Sequence, residues 1–240
     1  MEKFTLKSLC VVAFSVVLLG CENENDAVSP LAVNDTSNFG TSPDACEVIE
    51  FDGYNDIETG AGSVTTVYSE GTPVRVSAQL KADRGAYFNT ERGTYSNTNA
   101  AILYNTSQPD ERNKNFRTPN NAAIRPMGNV LTAGKVQGNA TAIYNKGSRL
   151  EMDFSAMGSI TLNAIHVLDI TQDEADSELE LIDKNGNVIK AYKLPVTGAY
   201  GATRLNTENT TGVEKIRVTF TGSRKNSGSG AIDVIEFCRD

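Results

Sequence analysis

The sequence is 240 residues long, with 22 basic and 30 acidic side chains and a formal net charge of −8. That balance excludes nucleic acid as a partner, because such binding rests on neutralising phosphates, and it suits cations, neutral glycans or a solvated acidic surface. Four cysteines without a Cys-x-x-Cys pair, and a single histidine, leave no redox motif and no zinc-type ligand set.

Lys3 and Lys7 open the chain, and an apolar run follows over residues 9–19. The run is too short to span a bilayer, which needs about 20 apolar residues, and it fits the apolar core of an export signal over residues 1–20. Gly20 precedes Cys21. The segment Leu18-Leu19-Gly20-Cys21 resembles the lipobox of bacterial lipoproteins. The resemblance implies diacylglycerol on the Cys21 sulfur, cleavage before Cys21 and acylation of the new amino terminus. Two or more acyl chains hold a protein stably to a membrane where one does not. The alternative is an ordinary secretory leader that leaves Cys21 a free thiol, which secreted proteins rarely keep. Loss of Lys3, Lys7 and Glu2 with the leader makes the chain one unit more negative.

Residues 21–45 read as an acidic and polar tether, from Glu22-Asn-Glu-Asn-Asp26 onward, because so little apolar content cannot offset the entropy of ordering. Acidic residues directly after a lipidated cysteine resemble the surface-export signals of Bacteroidota lipoproteins. The resemblance implies the outer face of an outer membrane; the other reading faces the periplasm.

Residues 46–240 are predicted to form one domain. Cys46-Glu-Val-Ile-Glu-Phe-Asp52 is its first strand-like segment and Ala231-Ile-Asp-Val-Ile-Glu-Phe-Cys238 its last. Terminal strands of a sandwich are often neighbours, and an oxidising compartment favours a disulfide between Cys46 and Cys238. Between them, Val74-Arg-Val-Ser-Ala-Gln-Leu80, Arg149-Leu-Glu-Met-Asp-Phe154, Glu178-Leu-Glu-Leu-Ile-Asp183 and Val213-Glu-Lys-Ile-Arg-Val-Thr-Phe220 alternate apolar and polar, the period of half-buried strands. Asn185-Gly186 predicts a type I′ hairpin turn. The stretch 90–129, polar and Asn-rich around Ile102-Leu-Tyr104, is predicted to form long loops over one end. No dozen residues after the leader show a helical period. The expected fold class is all-β, an antiparallel, jelly-roll-like β-sandwich.

In chain order, Ala101-Ile-Leu-Tyr-Asn105, Pro119-Asn120, Gly128-Asn-Val-Leu131, Leu150-Glu-Met-Asp-Phe154, Ile165-His-Val-Leu-Asp169 and Gly228-Ser-Gly-Ala-Ile232 are similar to an extracellular β-sandwich module of bacterial surface proteins that carry PEP-CTERM-type or other sorting anchors. The resemblance implies a cell-surface jelly roll without an established reaction or ligand. Asn113-Lys-Asn-Phe116 departs from the acidic turn common in that family. A weaker likeness, to galactose-binding-like carbohydrate-binding modules, implies a structural calcium shared by Glu50, Asp52 and Asp233, hard oxygen donors of the kind calcium takes. The other reading of these three is outward-facing strand residues that happen to be acidic.

A second acidic group, Asp169, Asp173 and Asp176, lies in a strand-to-strand loop that could wrap calcium or stay solvated; it lacks the EF-hand pattern. His166 has no partner histidine and no nucleophile to activate, which marks it as structural. No residues are spaced for acid–base catalysis, and the chain is expected not to be an enzyme. It has no Trp, so Tyr54, Tyr87, Tyr95 and Tyr104 are the aromatic candidates for stacking on a sugar, against ordinary packing. The sequence thus points to a non-catalytic surface lipoprotein that binds a glycan, with the membrane reached through lipid. Its alternative is an envelope structural or assembly protein with a surface-protein partner, and the third reading is a polysaccharide-acting enzyme.

Overall fold

A computed structural model describes residues 46–53, 56–60, 62–81, 95–107, 127–137, 140–199, 201–221 and 228–240. All fall in one compact unit, Phe39–Asp240. Cys21, Tyr54, Tyr87 and the 113–116 turn lie outside the described residues.

The fold is an all-β sandwich of two antiparallel sheets, as the alternating segments predict. Its strands are β1 (Cys46–Ile49), β2 (Ile57–Gly60), β3 (Ser63–Ser69), β4 (Thr72–Leu80), β5 (Ala101–Asn105), β6 (Asn129–Gln137), β7 (Ala140–Ile143), β8 (Ser148–Asp153), β9 (Ile160–Leu168), β10 (Glu178–Ile182), β11 (Val188–Lys193), β12 (Ala202–Val213), β13 (Lys215–Phe220) and β14 (Ala231–Arg239). The first sheet runs β12-β9-β14-β6-β5, with β1 added to β14 and β7 to β6; the second runs β11-β10-β13-β8-β4-β3-β2. From β8 onward every connection except the β10–β11 hairpin crosses between the sheets.

Alternation decides which face each strand buries. Val74, Val76 and Ala78 of β4, Leu150 and Met152 of β8, and Ile216, Val218 and Phe220 of β13 point inward from the second sheet. They meet Leu162, Ile165, Val167, Ile232, Ile235 and Phe237 from the first. Phe154 and Phe237 pack edge to face with centroids 5.4 Å apart, a favoured aromatic geometry. Each such buried side chain contributes roughly 1.5–3 kcal/mol relative to exposure.

The terminal strands pair with Cys46 opposite Cys238, and the two cysteines are disulfide-bonded. Strand β14 lies along β9 on one side. On the other it meets β6 at Ala231 and Ile232 and β1 from Ile235 to Cys238. Asp233 falls at this change of partner.

Two sequence expectations change. Residues 101–105 form a strand, β5, paired with β6 and largely buried, instead of part of a loop. Its short run of apolar residues inside a polar stretch gives no alternation to read. The hairpin at Asn185-Gly186 forms, but only Gly186 adopts positive φ, +82°. Asp183 holds the turn by accepting hydrogen bonds from the Asn185 and Asn187 amides, both at 2.8 Å, and the ladder is offset by a bulge at Ile182. The result is a type I turn closed by a left-handed glycine, in place of type I′.

Candidate functional site

Glu50 and Asp52 follow the end of β1, close enough to Asp233 for their charges to act on it, but the three do not converge as a metal-ligand set. Asp233 is 93% buried, and its carboxyl is pushed up to about 7 by burial first and by the charges of Asp52 and Glu50 second. Glu50 and Asp52 stay exposed. Asp52 accepts a hydrogen bond from the Asn129 amide at 2.6 Å. Gly128 at φ +65° makes room for it: a Cβ there would lie 2.1 Å from the Asp52 carboxylate.

Asp169, Asp173 and Asp176 do not gather. Asp169 is buried at φ +57°, with the Ser229 hydroxyl 3.4 Å from its carboxylate, whereas Asp176 is exposed. The loop between them is shaped by Glu174, 1% exposed, at the end of a 3-10 turn, Gln172–Glu174. Its carboxylate accepts from the Thr171 amide at 2.7 Å, the Ser229 amide at 2.8 Å and the Gly228 amide. Its oxygens are therefore taken by backbone donors, the pairing a buried polar group requires. Among the described residues no three His, Cys, Asp or Glu side chains converge as metal ligands.

Nor do the described tyrosines make a stacking platform. Tyr104 is 6% exposed and packs with Val130, Leu168 and Ala231. Tyr95 is half-buried, bridges to Lys81 and lies beneath the Arg149 guanidinium at 4.3 Å. Tyr104 lies on the face of β5 turned away from the inter-sheet core, where Val130, Leu168 and Ala231 pack against it, and a ring already packed offers no free face to a sugar.

The outer face of the first sheet holds a cleft of about 270 Å³ that none of these readings includes. It lies across β12, β9, β14 and β1, and its lining includes Val48, Asn163, Arg204, Asn206, Asn209 and Glu236. Register explains the assembly: Arg204 stands opposite His166, and Glu236 opposite both Ala164 and Val48. Arg204 donates from Nε to Glu236 Oε1 at 2.7 Å and from Nη2 to Oε2 at 2.6 Å, a bidentate pair. His166 Nε2 lies 3.3 Å from the same Oε1. The Arg204 bond, outweighing partial burial, holds the Glu236 carboxyl below its usual range, and His166 adds to it. His166 is thus more than packing: it helps fix the Arg204–Glu236 pair.

A bulge in β12 forms the cleft's rim. Between Asn206 and Thr210 the pairing with β9 shifts, and Glu208 and Asn209 take φ of +58° and +52°. Five contacts hold that backbone. Asn206 Oδ1 accepts from the Glu208 amide at 2.7 Å. Thr207 Oγ1 donates to Leu162 O at 2.6 Å, and Thr210 Oγ1 and Tyr192 Oη both donate to Thr207 O at 2.6 Å. Lys190 pairs with Glu208 at 2.5 Å. The bulge carries Asn209 over the sheet, where its Oδ1 accepts from Asn163 Nδ2 at 2.9 Å. Asn163 Oδ1 lies 3.4 Å from the disulfide sulfur of Cys238.

No protein-family model and no curated protein matches the sequence. Three solved structures align with parts of the chain. A DUF4465 family protein from Bacteroides caccae matches over 85% of this chain and 97% of its own, at 11% identity and TM-score 0.41. The K2 cleaved adhesin domain of Lys-gingipain matches over 69% of this chain and 89% of its own, at 12% identity and TM-score 0.35. A fucose binding module from Streptococcus pneumoniae matches over 46% of this chain and 70% of its own, at 16% identity and TM-score 0.29.

Proposed function

We propose that this is a non-catalytic, lipid-anchored surface domain that binds a glycan in the cleft on the outer face of its first sheet. The cleft carries the reading: a concave polar surface on a rigid sheet, lined by an arginine–carboxylate pair and three asparagines. Such groups are donors and acceptors in close array, the complement of sugar hydroxyls. Glycoside hydrolysis needs a carboxyl that keeps its proton beside one that does not. Glu236 is committed to Arg204 through two hydrogen bonds, which supports a positioning role over attack on a glycosidic bond.

The lipobox at Cys21 and the acidic tether place this domain, in the same reading, on the outer face of an outer membrane. Calcium at Glu50, Asp52 and Asp233 would serve as structural support once the exposed Glu50 and Asp52 carboxylates swing in, since the three do not converge as ligands in this structure. The donor set consists of hard oxygens, and a cation would offset the cost of ionising the buried Asp233.

Affinity electrophoresis of the chain against a panel of polysaccharides tests the reading, with calcium and then with chelator. Retardation by at least one glycan, lost on Arg204→Gln, is expected. Retardation that survives Arg204→Gln would move the site elsewhere, and none with any glycan would favour a protein partner in the envelope.

A further inference from the structure

The cleft's size and charge say more about its occupant, on the reading that the domain binds a glycan. At about 270 Å³ it falls just below the roughly 300–1,000 Å³ of sites for drug-sized ligands. A volume of that order accommodates one sugar ring. Its one strong cation, Arg204, gives two donors to Glu236, so an anionic group would have to displace a bidentate carboxylate. A cationic ligand would have to compete with Arg204 for Glu236 and with Arg239 for Glu47, the cleft's two carboxylates. A neutral ligand disturbs neither.

The amides supply what a neutral polyol needs. Asn206 spends its oxygen on the Glu208 amide, and its NH₂ has no protein partner among the described residues. Asn209 spends its oxygen on Asn163 and keeps its NH₂. Asn163 gives a proton to Asn209 and keeps its oxygen toward the disulfide side of the cleft. Donors and an acceptor thus stand side by side, and each hydroxyl of a sugar can both give and accept. Val48, 53% exposed and opposite Glu236, offers an apolar patch for the C–H face of a ring.

The backbone gives an independent observation. Two consecutive non-glycine residues at positive φ within a strand are uncommon, and such strain persists where surrounding contacts over-determine it, which happens most at ligand sites. Here five contacts fix the bulge, and its outcome is the placement of Asn209. We infer that the cleft takes a single uncharged sugar unit, the terminal residue of a neutral glycan, and that Asn163, Asn206 and Asn209 read its hydroxyls.

The test is saturation-transfer NMR and titration calorimetry on the full chain. Neutral probes are D-galactose, D-glucose, L-fucose and N-acetyl-D-glucosamine; charged probes are D-glucuronate and galactose 6-sulfate. At least one neutral sugar is expected to bind with a millimolar Kd, and the charged sugars at least tenfold more weakly. Asn163→Ala and Asn209→Gly should each weaken the neutral sugar at least tenfold. Asn209→Gly keeps the left-handed backbone while removing the amide, so its loss of binding is not a loss of fold, and its melting temperature checks this. Charged sugars that bind as tightly, with binding lost in Asn163→Ala, would overturn the neutral class and leave the glycan cleft standing. Neutral sugars that bind both variants like the wild type, or no binding by any probe, would overturn the cleft itself.

Discussion

The two sheets present outer faces of opposite design. On the second sheet charges pair off in a ladder: Glu151 takes Lys215 and Arg217, each at 3.0 Å, Arg217 reaches on to Glu180 at 3.4 Å, and Lys193 faces Glu178 at 3.7 Å. Charges alternate in sign across neighbouring strands, and the side chains lie flat against a regular, unbulged ladder between β8 and β13. On the first sheet the Arg204–Glu236 pair stands beside three asparagines, and bulges in β12 and opposite β14 break the ladder. The ladder face pairs its charges with one another across strands, whereas the cleft face leaves amide donors and an acceptor over. A regular sheet with paired charges makes a stable surface. A sheet broken by a held bulge makes a concave one, and the comparison predicts that the two faces respond differently to the same kind of change.

The largest effect should come from the disulfide, which serves both stability and the cleft. Cys46 lines the cleft and Cys238 touches Asn163. Replacing both with serine is expected to cost roughly 4–5 kcal/mol by the chain-entropy estimate for a loop this long. Thermal unfolding with and without reductant reads the loss. Sugar binding should fall with it even below the melting temperature, because β1 has only four residues and carries the Val48 wall. Ladder ion pairs, which lie on the other sheet, should be untouched. Unchanged affinity in the doubly substituted chain would separate the cleft from the terminal pairing.

Next in size is Asp233. Its folded value of about 7 lies above the ordinary 3.8, so the folded state holds the proton more tightly than the unfolded chain does. The stability tied to that proton is fully present below about 4 and is lost as pH rises through about 7. In chelator, the melting temperature should therefore fall between pH 4 and pH 8. The three-unit difference sets a ceiling near 4 kcal/mol, and roughly 2 kcal/mol is the expected order. Asp233→Asn should flatten that profile and raise stability at pH 8. Calcium should restore stability to the unaltered chain at pH 8 and do nothing for Asp233→Asn. A melting temperature indifferent to calcium would return Glu50 and Asp52 to solvated surface.

Much of the fold was legible in these residues and little of the cleft. Val74 to Leu80, Arg149 to Asp153 and Lys215 to Phe220 announce their strands because each buries one face only, and a period of two survives in the sequence. Residues 101–105 do not, since β5 is covered on both faces along much of its length. Strand β12 is hidden for the opposite reason: Asn206-Thr-Glu-Asn-Thr-Thr211 is polar throughout and bulged, so its pattern reads as a loop. The disulfide followed from compartment and strand order. Asn163, Arg204, Asn209 and Glu236 are 27 to 73 residues apart where they are not on one strand, and only register unites them. His166 showed its isolation in sequence but not its partner. The acidic groups could be seen but not sorted, because burial separates Asp233 from Asp176 and burial is a tertiary property.

The smallest effect on stability is the sharpest test of the comparison. Arg204→Gln and Arg217→Gln each remove a guanidinium from a pair with a carboxylate. Arg204 is 45% exposed and Glu236 29%, and water screens such a pair. Arg217 and Glu151 are 27% and 26% exposed, so that pair is slightly better shielded. Each loss should stay within about 1 kcal/mol, with Arg217→Gln the more costly because Glu180 loses a partner too. Affinity should run the other way. Without Arg204, Glu236 keeps only His166, its side chain is free to turn, and the wall between β12 and β14 loosens; sugar binding should drop at least tenfold. Without Arg217 the cleft on the other sheet is unchanged, and binding should match the wild type. If both variants lose affinity equally, the second sheet contributes to recognition and the division between a closed face and an open one fails. If neither does, the arginine–carboxylate pair is scaffolding for β9, β12 and β14, and the sugar site lies elsewhere.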